Sequence, residues 1–256
     1  MNEVIKLIRE RKSVRLFEDK LISEEIKSEI INAAFEAPTA GNMMFYSIID
    51  VTDHELKEKL SKLCDNQPFI AKAPMVLIFV ADYQKWYDIY KYNGIDARNP
   101  QEGDLLLAIQ DAVIAAQNTV LAAQSFGIGS CYIGDILENY EEVTKLLNLP
   151  QYTLPISMII YGYPTKKQLE RKKPPRFEKE YMVFENSYNR LKKDELMEMV
   201  QIRNEKENLS KDQVESINAL YKRKYDSDFA KEMNRSVKIY LDNFRNKKEG
   251  ANGLNK

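Results

Sequence analysis

Arg11-Lys12-Ser13-Val14-Arg15 puts three cations and one hydroxyl into five consecutive residues. At that spacing alternate side chains can converge on one anion, and a guanidinium grips phosphate oxygens in bidentate fashion. The same residues would serve equally as a solvated basic helix end, where cations complement the helix dipole. A second piece is the loop Ala37-Pro38-Thr39-Ala40-Gly41-Asn42. It offers small side chains and backbone N–H groups to a flat ligand, or simply turns the chain from helix to strand. Gln67, ahead of Ala73-Pro74, suits hydrogen bonding to an amide-like ring edge.

The residues that are missing narrow the chemistry. The single histidine, His54, sits beside a helix cap and reads as a surface residue, so no Ser-His or Cys-His nucleophile pair is expected. Cys64 and Cys131 show no CxxC spacing and read as buried thiols in a reducing compartment. No metal site of the His/Cys type is expected. Gly127-Ile128-Gly129 lacks the third glycine of a dinucleotide fingerprint, and no GxxxxGK[ST] loop occurs. Any redox chemistry must therefore come from a bound cofactor.

These pieces need elements to position them. Val4, Leu7 and Ile8 form a short helical stripe that runs into the basic stretch. Ser23 can cap a helix carrying Ile26, Ile30, Ile31 and Ala34, which stops before Pro38. Tyr46 to Val51 reads as a strand, Asp53 as the cap of a helix with Leu56, Leu60 and Leu63, and Met75 to Ala81 as the clearest strand. Between residues 83 and 103, Trp86, Tyr87, Tyr90 and Tyr92 give no assignable form. Leu105 to Phe126 predicts a helix apolar on most faces and rich in alanine, hence buried in a core or an interface. Gly127 and Gly129 end it. Cys131-Tyr132-Ile133, a short helix around Glu141 to Leu147, and the strand Leu154 to Tyr161 complete an α+β pattern.

Beyond Gly162 the composition changes. Residues 164 to 180 are rich in lysine and arginine and hold Pro164, Pro174 and Pro175, which predicts extended chain. After Asn186 a charged helical pattern continues to about Lys247. Its stripe of Phe229, Met233, Val237, Tyr240, Leu241 and Phe244 needs cover, either from the chain's own core or from a partner subunit. The expected division is a domain over residues 1–189 and a helical extension over 190–256.

Composition sets the bounds. The 256 residues are 44% hydrophobic and 30% charged, with a net charge of -1, so neither nucleic acid nor an anionic membrane is attracted in general. The N-terminus is amphipathic, and no segment approaches the ~20 apolar residues that span a bilayer. A soluble cytoplasmic protein is expected.

In their order along the chain these pieces resemble the nitroreductase family, in its oxygen-insensitive, NADPH-preferring flavin reductase branch. The resemblance rests on Arg11 to Phe17, Ala37 to Asn42, Gln67 with Ala73-Pro74, and the alanine-rich helix. It continues through Gly127 to Gly134, Gly162-Tyr163-Pro164, and Pro175-Arg176 followed by Phe184-Glu185-Asn186-Ser187-Tyr188.

The resemblance implies an α+β fold with a mostly antiparallel central sheet flanked by helices, assembled as an intertwined homodimer with FMN at the interface. Arg11, Lys12 and Ser13 would hold the phosphate and ribityl chain, and Arg15 would lie near the N1/C2 carbonyl edge of the flavin. Thr39, Gly41 and Asn42 would line the phosphate or ribityl side, and Gln67 the pyrimidine edge. Tyr132, Ile133, Gly134 and Asp135 would back the ring, while Lys173 and Arg176 would complete the phosphate cage. NADPH or NADH would give hydride to flavin N5, and nitroaromatics, quinones or flavins would then take two electrons. No protein side chain would be the reacting group. The helical extension has no counterpart in the motifs that carry the resemblance; it is expected to pack on the partner subunit, with binding to another protein as the alternative. A non-catalytic dimeric flavin-binding or interaction protein is the other reading.

The chain departs from the family pattern in three places. Ala40, Gly41, Met43 and Met44 stand where polar residues are common, and Asp135 where a second glycine often follows Gly134. Lys173-Pro174-Pro175-Arg176 carries one proline more than the usual spacing, which brings Lys172 into question for Lys173.

Overall fold

In the computed structural model, which describes residues 2–209 and 212–245, four antiparallel strands form one sheet in the order β1-β2-β4-β3. They are β1 (Tyr46–Asp50), β2 (Met75–Asp82), β3 (Gly129–Ile133) and β4 (Thr153–Gly162). All four match strands expected from the sequence. Every residue of β2 is buried because both faces of the sheet are covered. Met75, Leu77 and Phe79 pack with Ile30, Ala112, Ala116 and Tyr161 on one face. Val76, Ile78 and Val80 pack with Leu60, Ile70, Cys131 and Val143 on the other. Pro155 lies at the register shift opposite Phe79 and Val80, where an irregular ladder tolerates a missing N–H.

The helices of this part are α1 (Glu3–Glu10), α2 (Glu24–Phe35), α3 (His54–Leu63), α4 (Pro68–Ala71), α5 (Gln84–Tyr92), α6 (Glu102–Ser125), α7 (Tyr140–Leu146) and α8 (Lys166–Glu170). Two expected caps form: Ser23 Oγ accepts from Ile26 N at 3.3 Å, and Asp53 Oδ1 from Leu56 N at 2.7 Å. The aromatic stretch after residue 83 is the helix α5, pinned where Trp86 Nε1 donates to Met43 O at 2.7 Å. The stretch expected to be extended contains α8, since Pro164 and Pro174 bracket it and leave room for one helical turn.

α6 corrects one expectation. It has 24 residues, and an 18-residue stretch within it has a mean hydropathy of 1.5, so by length and composition it could cross a bilayer. Its Leu105, Ala108, Ala112, Ala115, Ala116, Val120 and Ala123 are nevertheless buried against the sheet and α2. Alanines let the neighbouring backbone approach closely, as the sequence suggested. Gly127, at φ 73°, turns the chain after the helix, whereas Gly129 opens β3 and does not end α6.

The contacts divide the chain differently from the expected boundary at residue 189. One unit runs to Arg171 and resumes at Glu232; the other is Lys172–Lys231. Within the second, α9 (Lys193–Glu207) and α10 (Gln213–Lys224) are joined by Asn204 Nδ2 donating to Ser216 Oγ at 2.6 Å. α11 (Asp228–Arg245) returns to the first unit from Glu232 onward. There Tyr240 and Phe244 are buried with Phe45, Ala81, Leu105, Tyr152 and Leu154, so this part of the apolar stripe is covered by the chain itself. Lys247, where the expected helical run ends, lies outside the described residues.

Candidate functional site

The basic stretch follows directly from the end of α1. Arg11 N closes that helix on Leu7 O at 3.0 Å, and the chain then runs beside the edge strand β3. Ser13 bridges Ser130 of β3, Val14 N donates to Ser130 O at 2.9 Å, and Phe17 bridges Pro164. Two glycines make this approach possible. A Cβ on Gly129 would lie 2.6 Å from Val14 Cγ2, and one on Gly162 would lie 2.6 Å from Phe17 Cδ1.

α8 and the residue after it clasp the stretch from outside. Lys12 Nζ donates to Leu169 O at 2.6 Å and to Arg171 O at 2.5 Å. Arg171 Nη2 donates to Ser13 O, and Arg15 N to Gln168 Oε1 at 3.3 Å. The Arg15 guanidinium stands 5.8 Å from the centre of the Phe69 ring, within cation–π range. Arg171 belongs to this constellation, and the sequence had placed it only in the basic tail.

The field at β3 reports the convergence. Burial pushes the Cys131 thiol up from its ordinary value, and Arg15, a hydrogen bond from Ser13, Arg11 and Arg171 all oppose that rise. Burial also pushes the Tyr132 phenol up to about 12, with Arg11 opposing. Three guanidinium groups therefore face one short strand. Among the described residues none of the three makes an ion pair. A cluster of like charges held together without carboxylates has the chemistry to bind an anion.

The loop after α2 is held by a residue the sequence did not single out. Asp111 of α6, 3% exposed, accepts from Thr39 Oγ1 at 2.5 Å, Ala40 N at 3.0 Å and Phe45 N at 3.1 Å. Thr39 Oγ1 in turn accepts from Met44 N at 2.8 Å. Gly41, Asn42 and Met44 adopt left-handed backbone with φ of 57°, 59° and 50°, and Gly41 and Asn42 are exposed. The Thr39 hydroxyl, expected to face a ligand, is thus turned onto Asp111.

The remaining candidates are placed as follows. Gln67 is half-buried, and its Nε2 donates to Cys64 O at 2.9 Å. Tyr132 and Ile133 lie on β3, with Tyr132 OH donating to Gln117 Oε1 at 3.3 Å. Gly134 and Asp135 open the turn of 3-10 helix that follows. Lys173 and Arg176 fall in the second unit, where Arg176 Nη1 donates to Pro174 O at 3.1 Å. Behind the turn, Glu138 is buried with Oε1 unpartnered among the described residues. Its carboxyl is pushed up to about 7 by burial and by Asp135, Asp65 and Glu232. His54 is a surface residue 3.7 Å from Glu58, and both cysteines are buried and unbridged.

Comparison with known proteins adds the following. The family model described as the nitroreductase family matches residues 8–163. The FMN reductase (NAD(P)H) of Bacillus subtilis is 33% identical over 205 residues, covering 78% of this chain and 80% of its own. The oxygen-insensitive NADPH nitroreductase of Salmonella typhimurium is 34% identical over 191 residues, covering 75% and 77%. Among solved structures, the NADPH:FMN oxidoreductase of Vibrio harveyi complexed with NAD+ aligns with a TM-score of 0.77 at 27% identity, over 94% of this chain and 98% of its own.

Proposed function

The chain belongs to the nitroreductase family, and from that premise we propose that it holds FMN over β3 and passes two electrons from NAD(P)H to nitroaromatics, quinones or flavins in two half-reactions at one site. The observation that carries this reading is the convergence of Arg11, Arg15 and Arg171 with Ser13 on one strand, with no carboxylate paired to them among the described residues. The donor set fits a phosphate ester with a polyol chain: guanidinium groups for the phosphate, a hydroxyl and backbone N–H groups for the chain. FMN held there would supply the redox chemistry, as a two-electron carrier between a nicotinamide and an acceptor.

The chain's own residues bind and orient. Arg11, Ser13 and Arg171 would hold the phosphate side, while Lys12 fixes the stretch by clamping the carbonyls of Leu169 and Arg171. Arg15 would lie at the pyrimidine edge, where a guanidinium favours negative charge. Gln67, whose Nε2 donates to Cys64 O, would offer its Oε1 to the same edge. Gly41 and Asn42 would present the 39–45 loop to the ribityl side, and Tyr132 to Asp135 would back the ring. The assignment of Lys173 and Arg176 to the phosphate rests on the resemblance alone. With the ligands held in register, proximity supplies much of the rate.

A homodimer fits the apolar surface. α6 exposes Leu106 (59%), Val113 (41%) and Ile114 (40%) opposite its buried face, and α1 beside it exposes Val4 (58%). Adjacent apolar helix faces of this kind mark an interface. The buried, unbridged Cys64 and Cys131 support a reducing, cytoplasmic setting.

The test is anaerobic absorbance of the purified protein before and after adding NADPH, then NADH. The expected result is a flavin spectrum bleached by a reduced nicotinamide and restored by a quinone or a nitroaromatic. Protein that takes up no FMN would overturn the reading.

A further inference from the structure

Asp111 sits on the alanine-rich helix α6 with no role that its local sequence marks, yet it sets the shape of the 39–45 loop. A carboxylate buried to 3% exposure is costly unless each oxygen is well bonded. Here Oδ1 accepts from Ala40 N, while Oδ2 accepts from both Thr39 Oγ1 and Phe45 N. Thr39 Oγ1 passes the constraint on to Met44 N. These bonds tie down both ends of a segment in which Gly41, Asn42 and Met44 are left-handed. For Asn and especially Met that backbone is strained, and it persists only where the surroundings over-determine it.

We propose that Asp111 is a positioning residue for the ribityl–phosphate side of the FMN site. Resting on the functional reading above, the inference deepens it by giving the loop's geometry to a residue on α6. The Thr39 hydroxyl is then an internal strut, and the ligand meets the exposed Gly41 and Asn42. This accounts for a loop with fewer hydroxyls than its family pattern: its shape is held from beneath, by a carboxylate 72 residues away in the chain from Thr39. Because α6 also bears the exposed Val113 and Ile114, the loop is anchored to the helix that carries the proposed dimer face.

The test is titration of the apoprotein with FMN and, separately, with lumiflavin, which has the ring but neither ribityl chain nor phosphate, followed by flavin fluorescence. Asp111→Asn should raise the Kd for FMN about tenfold, as loss of one hydrogen bond to a charged group would. Thr39→Val, a milder change that keeps shape, should raise it about threefold to fivefold. Lumiflavin binding should stay within about twofold, and the double variant should be no weaker than Asp111→Asn, since both remove one strut. Folded variants that bind FMN as the wild type does would overturn the inference. So would equal weakening of both ligands, which marks a merely structural role. Wild-type protein that fails to bind FMN would instead sink the functional reading, and this inference with it.

Discussion

Val14 rests directly on Gly129: a Cβ on that glycine would come within 2.6 Å of Val14 Cγ2 and 2.8 Å of its Cβ. The glycine is therefore the contact that lets the basic stretch lie against β3. Gly129→Ala should destabilise the protein by about 1–3 kcal/mol, because a branched side chain on a backbone-paired residue has nowhere to go. It should also weaken FMN binding, since Ser13 and Arg15 flank Val14. Gly103→Ala is the control, with nothing within 4 Å of the added carbon. Urea unfolding and FMN titration of the two variants check this, and equal behaviour would contradict the packing argument.

Arg171 should behave as a site residue although the sequence hid it among tail cations. Arg171→Ala removes both a positive charge near Cys131 and the donor to Ser13 O. The expected cost is about tenfold in FMN Kd or more. Arg171→Lys should recover only part of that, because an ammonium lacks the planar fork. Repeating the titrations across salt concentrations separates the two contributions: the charge is screened, while the hydrogen bond to Ser13 persists.

Glu138 should tie stability to pH. Its folded-state pKa of about 7 lies above the ordinary carboxylate value of 4.5, so the folded protein holds this proton more tightly than the unfolded chain does. The stabilising contribution is full below about pH 4.5 and is lost as pH rises toward 7. Glu138→Gln should flatten that slope, and at pH 8 it should be more stable than wild type by about 1–3 kcal/mol. Chemical denaturation at several pH values measures it. Parallel pH profiles for the two proteins would refute the assignment.

The last helix should belong energetically to the chain's own core. Phe244 is 2% exposed, with its ring centre 5.4 Å from that of Tyr152, and Tyr240 packs edge-on to Tyr140 at 4.5 Å. Phe244→Ala should cost about 3–5 kcal/mol. That loss should not depend on protein concentration, as it would if a partner subunit covered the stripe. Thermal or urea unfolding across a hundredfold concentration range distinguishes the two.

Ser23, Asp53 and β2 were all legible in the sequence because each depends on near neighbours. A cap is a side chain meeting an N–H three residues on, so both partners are written side by side. The continuous burial of Met75 to Asp82 needs only an apolar run and cover on both faces. The basic stretch and the order of the motifs were legible for the same reason, and they led to the family.

Tertiary structure decided which groups meet across distance. Arg171 reaches Ser13 over 158 residues and Asp111 reaches Thr39 over 72, and nothing in local spacing marks either pair. The apolar stripe of α11 was visible, but whether Tyr240 and Phe244 face a partner or their own core depended on how α6 and β4 leave room for them. Within residues 83 to 103, α5 is pinned by Trp86 docking on Met43, a partner 43 residues away that local spacing does not mark. Sequence fixes local geometry because its hydrogen bonds close within one turn. The long-range partners of a charge or an aromatic ring are set by packing registers that exist only in the assembled fold.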